Sequence, residues 1–297
     1  MREGISIIIP FYCGNKYLSA MAERLKRCID QYYSVFNEKI EIIIVNDSPW
    51  EKIEEELLTA VKGYYKIITN NKNSGIHQTR VNGIKESSQT YILMLDQDDK
   101  IEDTWLLSQY KIMYGSNIDL LIANGVRRYS DKDVPIFRNL KWLKDARTFA
   151  PYVALGNVIA SPGQCLIRKS AIPGFWLNNI LKENCADDMY LWMLMLGEKR
   201  HVEINPDILY IHVFTGNNFS ADEMQTIKSE RKVIQLLRNS GLVQERYLKY
   251  YSNRLARREK YFFKIKNRNL AQIYYVFSEL RNRGKLIELR LCDRQRG

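Results

Sequence analysis

Three acidic side chains fall within four positions at Asp96, Asp98 and Asp99, directly after the apolar run Tyr91-Ile-Leu-Met-Leu95. Such a run reads as a strand buried on both faces, so the carboxylates collect at its end. Unit charges about 4 Å apart repel by roughly 4 kcal/mol at an effective dielectric near 20, and a diphosphate beside them would add to the repulsion. A hard divalent cation, Mg2+ or Mn2+, relieves this because it takes carboxylate, phosphate and water oxygens, whereas zinc prefers nitrogen and sulfur. The bland alternative is a solvated acidic turn in which Asp99 or Asp103 caps the next helix. A second acidic pair, Asp187-Asp188, precedes Met189, Leu191, Trp192, Leu194 and Met195 and opens an amphipathic helix. Acidic residues also suit that position as caps.

The elements that must position these groups alternate along the first half of the chain. Short β-branched runs at 5–9, 40–45, 65–69, 91–95 and 118–123 predict five strands. Helical spacing is carried by Tyr17, Met21, Leu25, Cys28, Ile29, Tyr32 and Phe36, and further helices fit 51–62, 76–87 and 102–114. The pattern is that of an α/β fold, a mostly parallel, Rossmann-like sheet flanked by helices. In such sheets ligands bind beyond the carboxyl ends of the strands. Those ends carry Pro10-Phe-Tyr12, Asn46-Asp-Ser48, Asn70 through Gly75, and Asp96-Gln-Asp-Asp99. From 127 to 162 the periodicity weakens into an irregular segment, read as a loop-rich substrate region. Residues 164–168 return to the sheet, 187–196 form the short helix and 208–214 a strand. Three amphipathic helices follow to the end, parted near 239–241 and 267–269.

In this order the motifs resemble the inverting glycosyltransferases of family 2, which have a GT-A fold. The resemblance spans most of 4–220. It rests on Ser6-Ile-Ile-Ile-Pro10 with Phe11-Tyr12, on Ile42-Ile-Ile-Val-Asn-Asp47, on Asn73-Ser-Gly75 with Arg80 and Gly83, on Tyr91 through Asp99, and on Asp187-Asp188-Met-Tyr-Leu-Trp192. It implies that Pro10, Tyr12, Asp47 and Arg80 hold the base and ribose of a UDP- or dTDP-sugar. Asp96, Gln97 and Asp98 then lie at the diphosphate, with Asp98 and Asp96 on Mg2+ or Mn2+. The chemistry suits these types: a Tyr ring stacks on a pyrimidine and a carboxylate accepts a base N–H or ribose hydroxyl. In the family the second acid of the later pair is the general base that deprotonates the acceptor hydroxyl, which assigns the role to Asp188. The usual Glu-Asp is Asp-Asp here, leaving Asp187 and Asp188 both open. His212 ends a strand before the polar segment 215–220, which in the family closes near the diphosphate, and is expected on metal or phosphate. The segment 161–164 corresponds to where acceptor or sugar ring lies, Trp176 either lines the acceptor pocket or belongs to the core, and Gln97 resembles some rhamnosyltransferases. The implied reaction is inverting transfer to a hydroxyl of a glycan or lipid-linked acceptor, as in bacterial surface polysaccharide synthesis.

The expected organisation is a catalytic domain over 1–220, with a nucleotide-sugar half (1–125) and an acceptor half (126–220), and a basic helical C-terminal extension over 221–297. The formal charge of +11 resides in that extension. Residues 226–297 hold 19 Lys/Arg against 6 Asp/Glu, and the remainder 26 against 28. Such a tail suits an anionic membrane surface, a partner such as a second copy, or a solvated face. A non-catalytic basic protein binding nucleic acid or membrane is the competing reading; the acidic sites argue for an enzyme without a nucleic-acid partner. A nucleotide enzyme with a Gly-rich phosphate loop is excluded, since 10–14 contains one glycine. Five scattered cysteines, no C-x-x-C pair, no long apolar stretch and a strand starting at residue 5 lead to the expectation of a cytoplasmic protein, peripheral at the inner face of the membrane where the tail binds lipid.

Overall fold

The structure is a computed structural model that describes residues 3–130, 132–214 and 222–294. The elements run β1 (Gly4–Phe11), α1 (Asn15–Tyr33), β2 (Lys39–Asn46), β3 (Tyr65–Thr69), α2 (Ile76–Glu86), β4 (Tyr91–Met94), β5 (Lys100–Ile101), α3 (Trp105–Met113) and β6 (Leu120–Arg128). They continue with β7 (Asp133–Pro135), α4 (Leu140–Asp145), α5 (Phe149–Leu155), β8 (Cys165–Arg168), α6 (Gly174–Asn178), α7 (Asp187–Gly197) and β9 (Val202–Val213). The C-terminal helices are α8 (Glu223–Ser240), α9 (Glu245–Glu259) and α10 (Arg268–Arg294).

Among the described residues the strands form one sheet in the order β3-β2-β1-β4-β8-β6-β9-β5, with β7 on β6. The first four are parallel, as the β-α alternation predicts. Beyond β4 the directions mix: β8 runs antiparallel to β4 and β6, while β9 is parallel to β6. Side chains alternate between two cores as the strand period requires. Ile5, Ile7 and Ile9 pack with α1 and α3, whereas Ile8, Ile43 and Val45 pack with Val81 and Ile84 of α2. Each fully buried aliphatic contributes roughly 1.5–3 kcal/mol.

Two expectations are corrected. Residues 51–62 give a 3-10 helix at Glu55–Val61 rather than an α-helix. The segment 127–162 is not mainly loop, since it extends β6 and forms β7, α4 and α5; six- and seven-residue helices are too short to display a period. The C-terminal helical extension packs on the rest of the chain, where Ile227, Val233, Leu248, Tyr251 and Leu286 join the core that contains Tyr152 and Trp192. The segment 215–220, expected to close over the site, lies outside the described residues, as does the side chain of Cys292. No helix among the described residues is long and apolar enough to cross a membrane.

Candidate active site

A cleft of about 860 Å3 opens at the carboxyl ends of β1, β2 and β4. Pro10, Tyr12, Asp47, Arg80, Asp96, Gln97, Asp98, Asp187, Asp188 and His212 all line it, so the fold gathers these ten residues in one place. Their contacts nevertheless redistribute the expected work.

On the β1 and β2 side, Tyr12 is 42% exposed and its ring rests edge-on against Trp50, 5.9 Å between centroids. It is a free aromatic face. Asp47 is buried and already engaged: Oδ1 accepts from Asn70 Nδ2 (2.8 Å) and Ser74 N–H (2.7 Å), and Oδ2 from Gly75 N–H (2.9 Å). Gly75 makes that turn at φ 81°, a region costly for other residues. Asp47 thus shapes the 70–75 loop at the cleft wall. Gln97 is likewise a clamp, its amide accepting from Tyr12 N–H (3.1 Å) and donating to Tyr12 C=O (2.9 Å). This ties the ends of β1 and β4 together at the cleft edge.

Arg80 is buried under the site instead of lying free for a ribose. Nη2 donates to Asp96 Oδ1 (2.6 Å) and Nη1 to Asp187 Oδ2 (2.7 Å), bridging the end of β4 to the start of α7. The other Asp96 oxygen accepts from Ser161 Oγ at 2.9 Å. Asp187 is therefore charge-paired, and its backbone C=O takes the Trp176 indole N–H (2.9 Å). Trp176 is fully buried, resolving its two readings in favour of the core. His77, stacked 4.1 Å from that indole, accepts Leu181 N–H through Nδ1; burial pushes its pKa down to about 4, so it is a neutral core residue.

Asp188 differs from its neighbour. Its carboxylate accepts Asn157 Nδ2 on Oδ2 and Met189 N–H on Oδ1, both at 2.7 Å, and no cationic side chain among the described residues pairs with it. Burial first, then the adjacent Asp187 charge, hold its carboxyl well above the usual carboxylate range. The pair is presented by two consecutive non-glycine residues with positive φ, Cys185 (82°) and Ala186 (67°). Strain of this kind persists only where surroundings enforce it, and here Ser229 of α8 donates to the Cys185 C=O.

Among Asp96, Asp98 and Asp99, each carboxylate has a separate task. Asp99 is buried and holds β9, accepting from Tyr210 OH (2.7 Å), Val213 N–H (2.7 Å) and His212 Nδ1 (3.0 Å). Burial opposes charge on His212, yet the Asp99 carboxylate outweighs it and the net shift is upward. Asp98 has no hydrogen bond from another residue among the described ones. Burial, then Asp99 and Asp96, push it up to about 6. A half-buried carboxylate crowded by acids and lacking a cation fits a divalent ion. With Nδ1 of His212 held by Asp99, Nε2 is the ring nitrogen left to ligate, a common carboxylate–histidine arrangement. No group of three or more protein ligands is assembled among the described residues. Asp98 and His212 therefore suit Mg2+ or Mn2+, which keep water and phosphate oxygens, better than zinc. Asp96, taken up by Arg80 and Ser161, is the weaker of the two expected metal carboxylates.

Sequence reasoning missed Asn157, Glu230 and Thr226, which also line the cleft. Asn157 follows Gly156, whose φ of 102° and 3.0 Å separation of a would-be Cβ from Arg254 Nη1 favour glycine. Arg254 is buried against Glu230 (2.5 Å), which also meets Arg258 (2.8 Å). Nothing local marks Asn157 or Glu230, because their partners lie 24–31 positions away.

Residues 6–174 match the family described as Glycosyl transferase family 2, more than half of the chain. The chain belongs to that family. Among its relatives, this family 2 chain is 24% identical over 175 residues to glycosyltransferase GlyA of Streptococcus pneumoniae, covering 52% of this chain and 24% of the relative. It is 26% identical over 212 residues to cholesterol galactosyltransferase of Borreliella burgdorferi, covering 65% of this chain and 54% of the relative. The matches thus span about a quarter to about half the length of these relatives. S. aureus TarS 1-349 in complex with UDP-GlcNAc has a similar structure, with a TM-score of 0.60 at 16% identity over 93% of this chain and 79% of TarS 1-349. At that identity the likeness establishes the GT-A fold of this family 2 chain.

Proposed function

We propose that the chain transfers a sugar with inversion from a nucleoside-diphosphate sugar to a hydroxyl acceptor, with Asp188 as general base. The carrying observation is the asymmetry between adjacent carboxylates: Asp187 is neutralised by Arg80, whereas Asp188 faces the cleft with raised proton affinity. The acceptor O–H gives its proton to Asp188 as the oxygen bonds to the anomeric carbon, and the bond from that carbon to the diphosphate oxygen breaks on the opposite face. Asn157 orients the base. Arg80 fixes its helix relative to Asp96. Asp98 and His212 would hold a divalent ion, and such an ion would neutralise the charge developing on the leaving diphosphate.

A uridine diphosphate sugar is favoured over a thymidine one by the similar TarS structure, which is in complex with UDP-GlcNAc. The Tyr12 ring is the surface on which a pyrimidine would stack. A glycan or lipid-linked hydroxyl is the acceptor class, in keeping with a relative named for galactosyl transfer to cholesterol. Thermal-shift measurement with UDP-, dTDP- and GDP-sugars, with and without Mn2+, tests the donor: stabilisation by a UDP-sugar that needs the metal is expected. Indifference to every sugar nucleotide would sink the reading.

A further inference from the structure

Helix α10 carries two apolar faces on opposite sides, and the protein covers one. Asn282, Leu286 and Leu289 are buried against the body, and Arg290 pairs with Asp145. Across the helix, Leu270, Ile273, Phe277, Leu280 and Ile287 recur at three-, four- and seven-residue intervals and are 54–67% exposed. Phe262 and Phe263, in the π-helical turn Lys260–Lys264 before α10, add 43% and 44% exposed rings. Large exposed side chains aligned over several turns are unusual on a free surface and mark an interaction site.

Charge decides the occupant. From 260 to 287 there are seven Lys/Arg and one acidic residue. Lys266, Arg268, Arg281 and Arg283 are exposed and have no ion-pair partner among the described residues. Glu288 at the stripe's edge is paired with Lys285. A second copy packed on this stripe would bring the same cationic flanks together. An anionic lipid surface complements both features, taking the apolar stripe into the headgroup boundary and the flanking cations onto phosphates. We infer that α10 and the preceding turn dock the protein peripherally on an anionic membrane.

Co-sedimentation of the full chain with vesicles tests this without recourse to turnover, so its outcome is independent of the proposed transferase reaction. Vesicles of phosphatidylcholine with about 30% phosphatidylglycerol should bind at least about tenfold more tightly than phosphatidylcholine alone, and less so as salt rises from about 0.1 M to about 0.5 M. Phe277→Asp with Leu280→Asp, and separately Lys266→Glu with Arg268→Glu and Arg281→Glu, should each weaken binding about tenfold or more with unchanged melting temperature. Equal binding of either multiple variant and the parent would overturn the inference. So would a dimer in sedimentation velocity that Phe277→Asp with Leu280→Asp dissociates while vesicles fail to bind, or retention on duplex DNA without vesicle binding.

Discussion

Arg80 and Asp187 form a buried ion pair, Nη1 to Oδ2 at 2.7 Å, with side chains 6% and 3% exposed. Because Arg80 also holds Asp96, this pair welds the end of β4 to the helix that presents Asp188. The two adjacent acids therefore fail differently when neutralised.

Asp188→Asn should reduce transfer by about 10²–10⁴-fold while donor affinity by calorimetry is unchanged. Asp187→Asn leaves Arg80 short of a charge in the interior and should destabilise the fold by about 3–5 kcal/mol in denaturant unfolding. An active Asp188→Asn enzyme would remove the base assignment.

The raised proton affinity of Asp188 carries a stability consequence whose sign is opposite to that of an ordinary salt-bridged carboxylate. Its contribution is full below the unfolded carboxylate range and is lost as pH rises through the elevated folded value. Asp188→Asn should hence be more stable than the parent at pH above neutrality and lose that advantage in acid, as read by urea midpoints across pH.

Asn157 donates to the charged form of Asp188. Asn157→Ala removes a bond of roughly 1.5 kcal/mol or more, so the acid limb of kcat/KM should move about one unit toward higher pH. A profile that keeps its limb while losing amplitude would mean that Asn157 acts on the acceptor instead.

Asp98→Ala should abolish the Mn2+-dependent part of donor stabilisation, and chelation should have no further effect on the variant. His212→Ala should weaken metal dependence without removing it, because Asp98 remains. Melting temperatures with donor, with and without chelator, separate the two.

Gly156→Ala places a methyl group 3.0 Å from Arg254 at φ 102°. Destabilisation of about 1–3 kcal/mol is expected by chemical denaturation, together with a fall in kcat larger than the change in donor KM, since the displaced residue is Asn157.

The sequence alone determined the parallel strands β1 to β4, the sheet edge and the acids upon it. Ile5–Ile9 and Tyr91–Leu95 are apolar on both faces, which a parallel layered sheet requires, and polar residues follow each run at a fixed point. Motifs of that kind are local, so they are written contiguously in the chain. Tertiary structure decided what each side chain does. That Gln97 clamps Tyr12, that Asp47 organises the 70–75 loop and that Arg80 neutralises Asp187 follow from partners 23–107 positions apart. Whether an acid is a base or half of an ion pair depends on burial and on which cation arrives, and neither is encoded beside it. The C-terminal helices illustrate the same limit: their periodicity was legible, but Glu230, Arg254 and Gly156 meet behind Asn157 only because α8 and α9 pack against α5 and α7.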